Sequence, residues 1–113
     1  MSLNTIEPCR DFDTRDRGAS FSGELTITRF NCLVPSTAKA YVFNATVVPT
    51  SGPMGYLTLW PDGEQQPVVS TLNAYDGFVT SNMAIVPNVN GSIDAYADGI
   101  TQLVLDISSY FAP

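Results

Sequence analysis

The sequence contains no histidine, and only 14% of its 113 residues are charged, where soluble domains average about 25%. Without histidine the chain lacks the usual general base, the Ser-His-Asp and Cys-His nucleophile pairs and the commonest zinc ligand. Five basic residues stand against eleven acidic ones, which gives a net charge of -6. This charge argues against nucleic acid or an anionic membrane as a partner. The absence of histidine in turn excludes most familiar hydrolase chemistry.

Long apolar runs are also missing. No stretch reaches the roughly 20 apolar residues of a membrane-spanning helix, so no membrane insertion is predicted. Residues 1–3 lack the basic and apolar regions of a signal peptide and look like an expression-vector leader. The remaining residues, 4–113, are enough for a single domain and too few for two.

Cysteine is scarce, and Cys9 and Cys32 are the complete set. Two cysteines permit one disulfide, which would indicate an oxidising compartment. The alternative from the residues alone is a pair of buried, unpaired thiols in a cytosolic protein. Two thiols do not supply the four ligands of a structural metal site, and no metal or other cofactor is predicted.

Turn-forming residues recur about every ten positions, and the segments between them are rich in Val, Ile, Thr, Tyr and Phe without a helical apolar stripe. This pattern predicts an all-β fold, namely a two-sheet antiparallel β-sandwich of jelly-roll or immunoglobulin-like type with about eight strands. The predicted strands are residues 6–13, 24–30, 39–48, 56–60, 68–72, 78–86, 92–97 and 101–110. The last three are expected to form a meander through short hairpin turns at Gly91 and at Asp98-Gly99.

Alternation within the predicted strands assigns their positions in the sheets. Strand 24–30 is half polar and is expected either at an edge of a sheet or with one face in solvent. Strand 39–48 is apolar on both faces and is expected to be central. Asn44 and Asp106 then lie in otherwise buried settings, where each needs a polar partner because an unpaired buried polar group is costly.

Three groups of residues could bind a ligand. In the densest polar segment, residues 8–17, Arg10 and Arg15 could grip a carboxylate or a sugar acid. The alternative, which we favour, is that the neighbouring aspartates neutralise both arginines, so that Arg10 and Asp13 are structural ties.

Aromatic side chains form the second group. Tyr56 and Trp60 occupy alternate positions of one predicted strand, where flat rings could stack on sugars while Glu64 and Gln66 bond hydroxyl groups nearby. The alternative is that Trp60 and Tyr56 belong to the core.

Carboxylates form the third group. Asp94 with Asp98, or Asp11 with Asp13 and Asp16, could join main-chain carbonyls around calcium, but no EF-hand pattern is present. A glycosidase needs two acids at a defined spacing with one desolvated. Acids placed mostly at turns do not suggest such a pair.

Seven segments in order resemble a domain found in secreted and surface proteins of acidobacteria and actinomycetes, a family with a PCR-x-x-DTR opening and a D-x-x-GYF ending. The resemblance covers about residues 6–111. The matching segments are PCRDFDTR at 8–15, CLVPSTAKA at 32–40, FNATV at 43–47, GYLTLWPDG at 55–63, STLN at 70–73, NMAIVP at 82–87, and LVLDI with YF at 103–107 and 110–111.

The resemblance implies an extracytoplasmic module attached to larger secreted or surface proteins, with a disulfide between Cys9 and Cys32. It implies no catalytic residue. It also implies structural roles for the residues that define the domain: Arg10, Asp13, Arg15, Asn44, Asn73 and Asp106. Ser109 stands where the family usually has glycine.

These observations lead to one preferred function and one alternative. The preferred function is a non-catalytic accessory or adhesion module of a secreted or surface bacterial protein, which binds polysaccharide or another cell-envelope component and adjoins other domains. The alternative is a structural spacer or self-assembling domain without a small ligand, in which case a homo-oligomer is expected. An enzyme would need a catalytic pair without histidine.

Overall fold

A computed structural model describes residues 1–68 and 70–113, and this part of the chain contains seven strands and one turn of 3-10 helix. Every strand pairing is antiparallel, so the predicted all-β class is confirmed. The strands are β1 (Ser2–Asp13), β2 (Phe21–Ile27), β3 (Ala40–Pro49), β4 (Met54–Pro61), β5 (Leu72–Ala74), β6 (Thr80–Pro87) and β7 (Ile93–Ala112), with the 3-10 turn at Thr14–Asp16.

Strand β7 organises the fold because four strands pair with it. Its first half lies between β2 and β4, and its second half lies between β1 and β3. Strand β6 extends the sheet beyond β3, and β5 extends it beyond β4. The prediction that strand 39–48 is central is confirmed by β3, and the prediction of an edge strand at 24–30 is confirmed by β2, which pairs only with β7 among the described strands.

Strand β7 is strongly curved. Twenty residues of straight strand would span about 63 Å, but the longest dimension of the molecule is 41 Å. The register locates a kink: Ala97 pairs with Gly23 and Thr101 with Phe21, so three residues of β7 lie opposite one residue of β2. Within this kink Gly99 has a φ of 128°, and a Cβ there would lie 3.0 Å from the Cβ of Met54. Glycine is therefore required for the bend.

The length of β7 and the order of the strands correct two predictions about the end of the chain. Residues 92–97 and 101–110 were expected to be separate strands joined by a hairpin at Asp98-Gly99, but both belong to β7. Strands β6 and β7 were expected to be neighbours, but β3 lies between them. The Asp-Gly pair has the residue types of a hairpin turn, and here it bends one strand instead.

Three smaller predictions also need correction. Residues 2 and 3, excluded above as a leader, belong to β1, where they pair with Ala112 and Phe111. Of the predicted strand 68–72, residue 69 lies outside the described residues, and in the described remainder only Leu72 belongs to a strand. Asn44 is exposed, because it lies opposite Asp106 and Met83 on the outer face of the sheet rather than on the core face.

Both halves of the sheet contribute to one apolar core. In β7 the alternate residues Ile93 to Ala97 and Leu103 to Ile107 point into this core. They meet Phe43, Ala45 and Val47 of β3 and Leu57 and Leu59 of β4. Odd-numbered residues of β7 face the core both before and after the kink at Gly99. The kink therefore does not change which side chains point inward.

Candidate functional site

The two cysteines form a disulfide that ties β1 to the loop between β2 and β3. Cys9 and Cys32 have their Cα atoms 6.2 Å apart and are bonded through sulfur. This confirms the bridge and removes the alternative of two free thiols. The loop is also held by a main-chain hydrogen bond from Asn31 N to Asp11 O, 2.9 Å long. Residues 28–39 of this loop are thereby fixed against the end of the sheet where β1 and β3 flank β7.

The arginines of the polar segment are engaged within the chain. Arg15 donates from its main-chain N, its Nε and its Nη2 to the buried carboxylate of Asp13, at 2.7–3.2 Å. These bonds from Arg15 lower the pKa of Asp13 although the carboxylate is buried. Arg10 donates from Nε to Asp106 Oδ1 at 3.0 Å, so Asp106 has the partner that the sequence required. These contacts are consistent with structural roles for Arg10 and Arg15, and they leave neither guanidinium group free to bind a ligand.

The two asparagines expected to be structural differ in what they contact. With the Asn73 amide turned so that its nitrogen faces the carbonyls of Leu72 and Gly55, it donates to them at 3.2 and 3.1 Å and so helps to join β5 to β4. Asn44 makes a long contact of 3.4 Å to Thr46 Oγ1 on the exposed face. Only Asn73 therefore connects two strands through its side chain.

The aromatic surface predicted on β4 does not exist in that form. Trp60 is 3% exposed and belongs to the buried interior, as the alternative interpretation held. Both faces of β4 are covered, because Leu57 and Leu59 point into the core while Thr58 and Trp60 are covered as well. Alternation correctly separated the two faces, but it could not show that the second face is also covered. Trp60 is thus unable to stack on a ligand.

Part of the predicted site nevertheless lies in a cavity. Tyr56 is half-buried, stacks on Tyr96 with ring centroids 5.7 Å apart, and lines a groove of about 620 Å³. Tyr75 is 70% exposed and lines the same groove. Amide and hydroxyl side chains make up much of the remaining lining. We call this cavity the tyrosine groove, and its lining residues are Tyr56, Thr58, Gln65, Gln66, Pro67, Val68, Ser70, Asn73 and Tyr75.

The tyrosine groove brings together two of the four predicted ligand-binding residues, Tyr56 and Gln66. Glu64 is exposed in the turn after β4 and does not line the groove. Sequence reasoning missed Tyr75, because it lies next to the Asp76-Gly77 turn and in no predicted strand. An aromatic residue beside a turn carries no periodic signal, so only the fold shows that Tyr75 lies near Tyr56.

The carboxylates do not gather into a metal site in residues 1–68 and 70–113. Of the calcium candidates, Asp98 is exposed while Asp94 is buried and accepts a hydrogen bond from Thr26 Oγ1 at 2.9 Å. Burial raises the pKa of Asp94, and the nearby Asp62 raises it further. Neither Asp62 nor Asp94 lines the tyrosine groove. Burial, together with the proximity of Asp62, thus keeps the pKa of the Asp94 carboxyl above its usual range.

No helix in the described part of the chain has the length and apolar character needed to cross a bilayer. Comparison with known proteins found no matching family model, no matching curated sequence and no matching solved structure. The resemblance to the secreted bacterial domain therefore stays a hypothesis, and the function must be argued from the residues of this chain.

Proposed function

We propose that this domain is a non-catalytic binding module of a secreted or surface bacterial protein, and that it attaches its host to a neutral polysaccharide of the cell envelope or surroundings. The observation that carries the proposal is the tyrosine groove. Its volume of about 620 Å³ lies in the range of small-molecule sites, about 300–1,000 Å³.

The chemistry of the groove favours a hydroxylated, uncharged ligand. None of the described lining residues is charged, and amide and hydroxyl groups on Gln65, Gln66 and Ser70 can both donate to and accept from sugar hydroxyls. The rings of Tyr56 and Tyr75 supply flat apolar surface with a hydroxyl at one end. This combination binds sugar rings by stacking and by hydrogen bonds, without histidine or metal.

The compartment supports the same proposal. A disulfide between Cys9 and Cys32 is consistent with an oxidising, extracytoplasmic setting. A secreted protein that carries such a module meets polysaccharide outside the cell. The neighbouring domains of a longer chain would then supply any catalytic activity.

Binding to an array of neutral polysaccharides, followed by calorimetry on the best ligand, tests the proposal. Tyr75→Ala should weaken binding at least tenfold, because it removes an exposed ring that stacking would use. Phe78→Ala is the matched control: Phe78 is 72% exposed and does not line the groove, so its removal should leave affinity unchanged. Absence of binding to every polysaccharide, or equal effects of the two variants, would refute the proposal.

A self-assembling structural domain is the second candidate, and strand β6 favours it. Among the described strands β6 pairs only with β3, and its eight residues carry no charge. Met83 and Ile85 on this strand are 64% and 54% exposed. An uncharged edge of this kind can pair with the same edge of a second copy. Light scattering should then show a concentration-dependent dimer that Ile85→Lys abolishes, and a monomer at every concentration contradicts assembly.

A further inference from the structure

A second cavity, of about 390 Å³, lies beside the disulfide. We call it the disulfide pocket. The loop around Cys32 forms one side, the turn from Asn88 to Gly91 forms another, and the rings of Phe30, Tyr41 and Phe43 form the apolar wall. The buried carboxyl group of Asp11 belongs to the same lining. The pocket shares no residue with the tyrosine groove, so a ligand bound in it would be independent of the proposed function.

Asp11 is a buried carboxylate whose charge the described chain does not neutralise. The residue is 3% exposed, and its Oδ1 accepts a hydrogen bond of 2.8 Å from Cys32 N. No arginine or lysine forms an ion pair with it in residues 1–68 and 70–113, and the groups that favour its charged form are the main-chain N–H groups of Cys32 and Asn31. Burial raises the pKa of Asp11. A cation entering the pocket would relieve this unfavourable burial of charge.

The aromatic wall suits the same kind of ligand. The ring centroids of Phe30 and Tyr41 are 6.5 Å apart, those of Phe30 and Phe43 are 6.3 Å apart, and those of Tyr41 and Phe43 are 5.7 Å apart. Aromatic faces attract cations and also pack against the apolar carbon chain that carries the charge. The net charge of -6 favours the approach of a cation from solution.

The geometry around Asp11 selects among cations. A guanidinium group pairs best with both oxygens of a carboxylate, and Cys32 N already uses one acceptor position of Oδ1, which favours a ligand that needs a single contact. Calcium requires six to eight oxygen ligands, and the described residues contain no cluster of acidic or other metal-binding side chains here. A primary ammonium group is compact and needs only one strong acceptor, and Asp11 belongs to the lining of the pocket.

We propose that the disulfide pocket binds a primary ammonium group on a short carbon skeleton, with the ammonium against the carboxylate of Asp11 and the carbon atoms against Phe30 and Tyr41. A lysine side chain and an amino sugar both present this group. The two sources share the charged nitrogen and differ in the carbon skeleton that faces the aromatic wall.

Titration of ¹⁵N-labelled protein with Nα-acetyl-lysine methylamide and, separately, with glucosamine tests the proposal. At least one of these amines should shift the amide resonances of Asn31, Cys32 and Gly91 in a saturable manner. The N-acetylated counterpart of each amine keeps the carbon skeleton without the charge, and it should bind at least tenfold more weakly. Binding by only one amine identifies the source of the ligand.

Asp11→Asn distinguishes a ligand-binding carboxylate from a purely structural one. Asparagine still offers an oxygen to Cys32 N, so a merely structural role survives, whereas affinity for the amine should fall at least tenfold. Glu7→Gln is the matched control, because it removes one exposed negative charge from the same strand. The proposal is wrong if neither amine binds, if the acetylated forms bind equally well, or if Asp11→Asn and Glu7→Gln have the same effect.

Discussion

Asp11 and Asp13 are two positions apart on β1 and equally buried, at 3% and 4% exposed, yet their surroundings are opposite. Asp13 receives four hydrogen bonds from Arg15, and its pKa is lowered. The groups that favour the charged form of Asp11 are the main-chain N–H groups of Cys32 and Asn31, and burial nevertheless raises its pKa. The first carboxylate is held by Arg15, and the second belongs to the lining of a cavity. A buried charge thus becomes a candidate binding group where the chain leaves it without a counter-charge.

The largest expected effect comes from removing the disulfide that holds the loop over Asp11. The double variant Cys9→Ala, Cys32→Ala should lose about 3 kcal/mol of stability, because the unfolded chain regains the entropy that the bridge removed. Urea unfolding followed by tryptophan fluorescence measures the change. Wild type unfolded with and without a reductant serves as the control. A loss below about 1 kcal/mol would mean that the loop is held mainly by its hydrogen bonds to Asp11.

Asp13→Asn should have the next largest effect. It weakens a set of charge-assisted hydrogen bonds at a buried site, although half-exposure of Arg15 screens part of the attraction, so we expect a loss of about 1 kcal/mol at pH 7. Asp13 has a lowered pKa in the folded protein, so its contribution is present above the ordinary aspartate pKa and is lost as the pH falls through and below about 4. The gap between variant and wild type should therefore close in acid.

Unfolding curves at pH 7 and at pH 3 measure this gap. Asp16→Asn, which removes an exposed carboxylate from the same 3-10 turn, is the control and should show a much smaller change. A gap that widens in acid would contradict the assigned role of Asp13.

Asp11→Asn should change stability in the opposite direction. The folded protein raises the pKa of Asp11, so the ionised form is disfavoured by folding, and this cost is complete only above the raised pKa. The variant should be at least as stable as wild type at pH 7, and the difference should vanish below about pH 4, the ordinary aspartate pKa. The same unfolding series measures it, and a clear loss of stability at pH 7 would mean that Asp11 has a counter-charge after all.

The smallest effect is expected for Arg10→Gln. Arg10 is 53% exposed and pairs with Asp106 near the surface, where solvent screens the attraction. The unfolding midpoint should stay within experimental error of wild type. A loss as large as that of Asp13→Asn would show that the exposed arginine, and not only Arg15, holds the polar segment in place.

The sequence predicts a contact of these sites where the residue types themselves indicate it, and misses a contact where they do not. The disulfide follows from two cysteines and a family resemblance, and the pairing of Arg10 with Asp106 answers the need for a partner that the strand pattern implied. Trp60 was a candidate ligand platform because alternation separates two faces of a strand. Alternation does not report whether one face or both are covered, and both faces of β4 are.

The same residue types, aspartate followed by glycine, are found at turns between strands and at the bend within β7. Asp98-Gly99 has the composition of a hairpin turn, and local sequence therefore predicted two strands where the fold has one. The difference arises from what lies beside the bend: the backbone of Met54 approaches Gly99 closely, and β2 and β4 continue to pair on both sides of the first half of the strand. Such contacts are made by residues far apart in the chain.

The sequence by itself determined the all-β class, the approximate positions of several strands and the absence of histidine chemistry, because residue type and period 2 are local properties. Only the tertiary structure decided that Tyr75 joins Tyr56 in one groove and that Asp11 lies in a pocket. In the segment Asp11-Phe12-Asp13 the two carboxylates have the same chemistry and the same parity. Asp13 pairs with Arg15, which lies two positions along the chain, whereas the pocket that Asp11 lines is formed partly by the loop at Cys32, which folding brings to it.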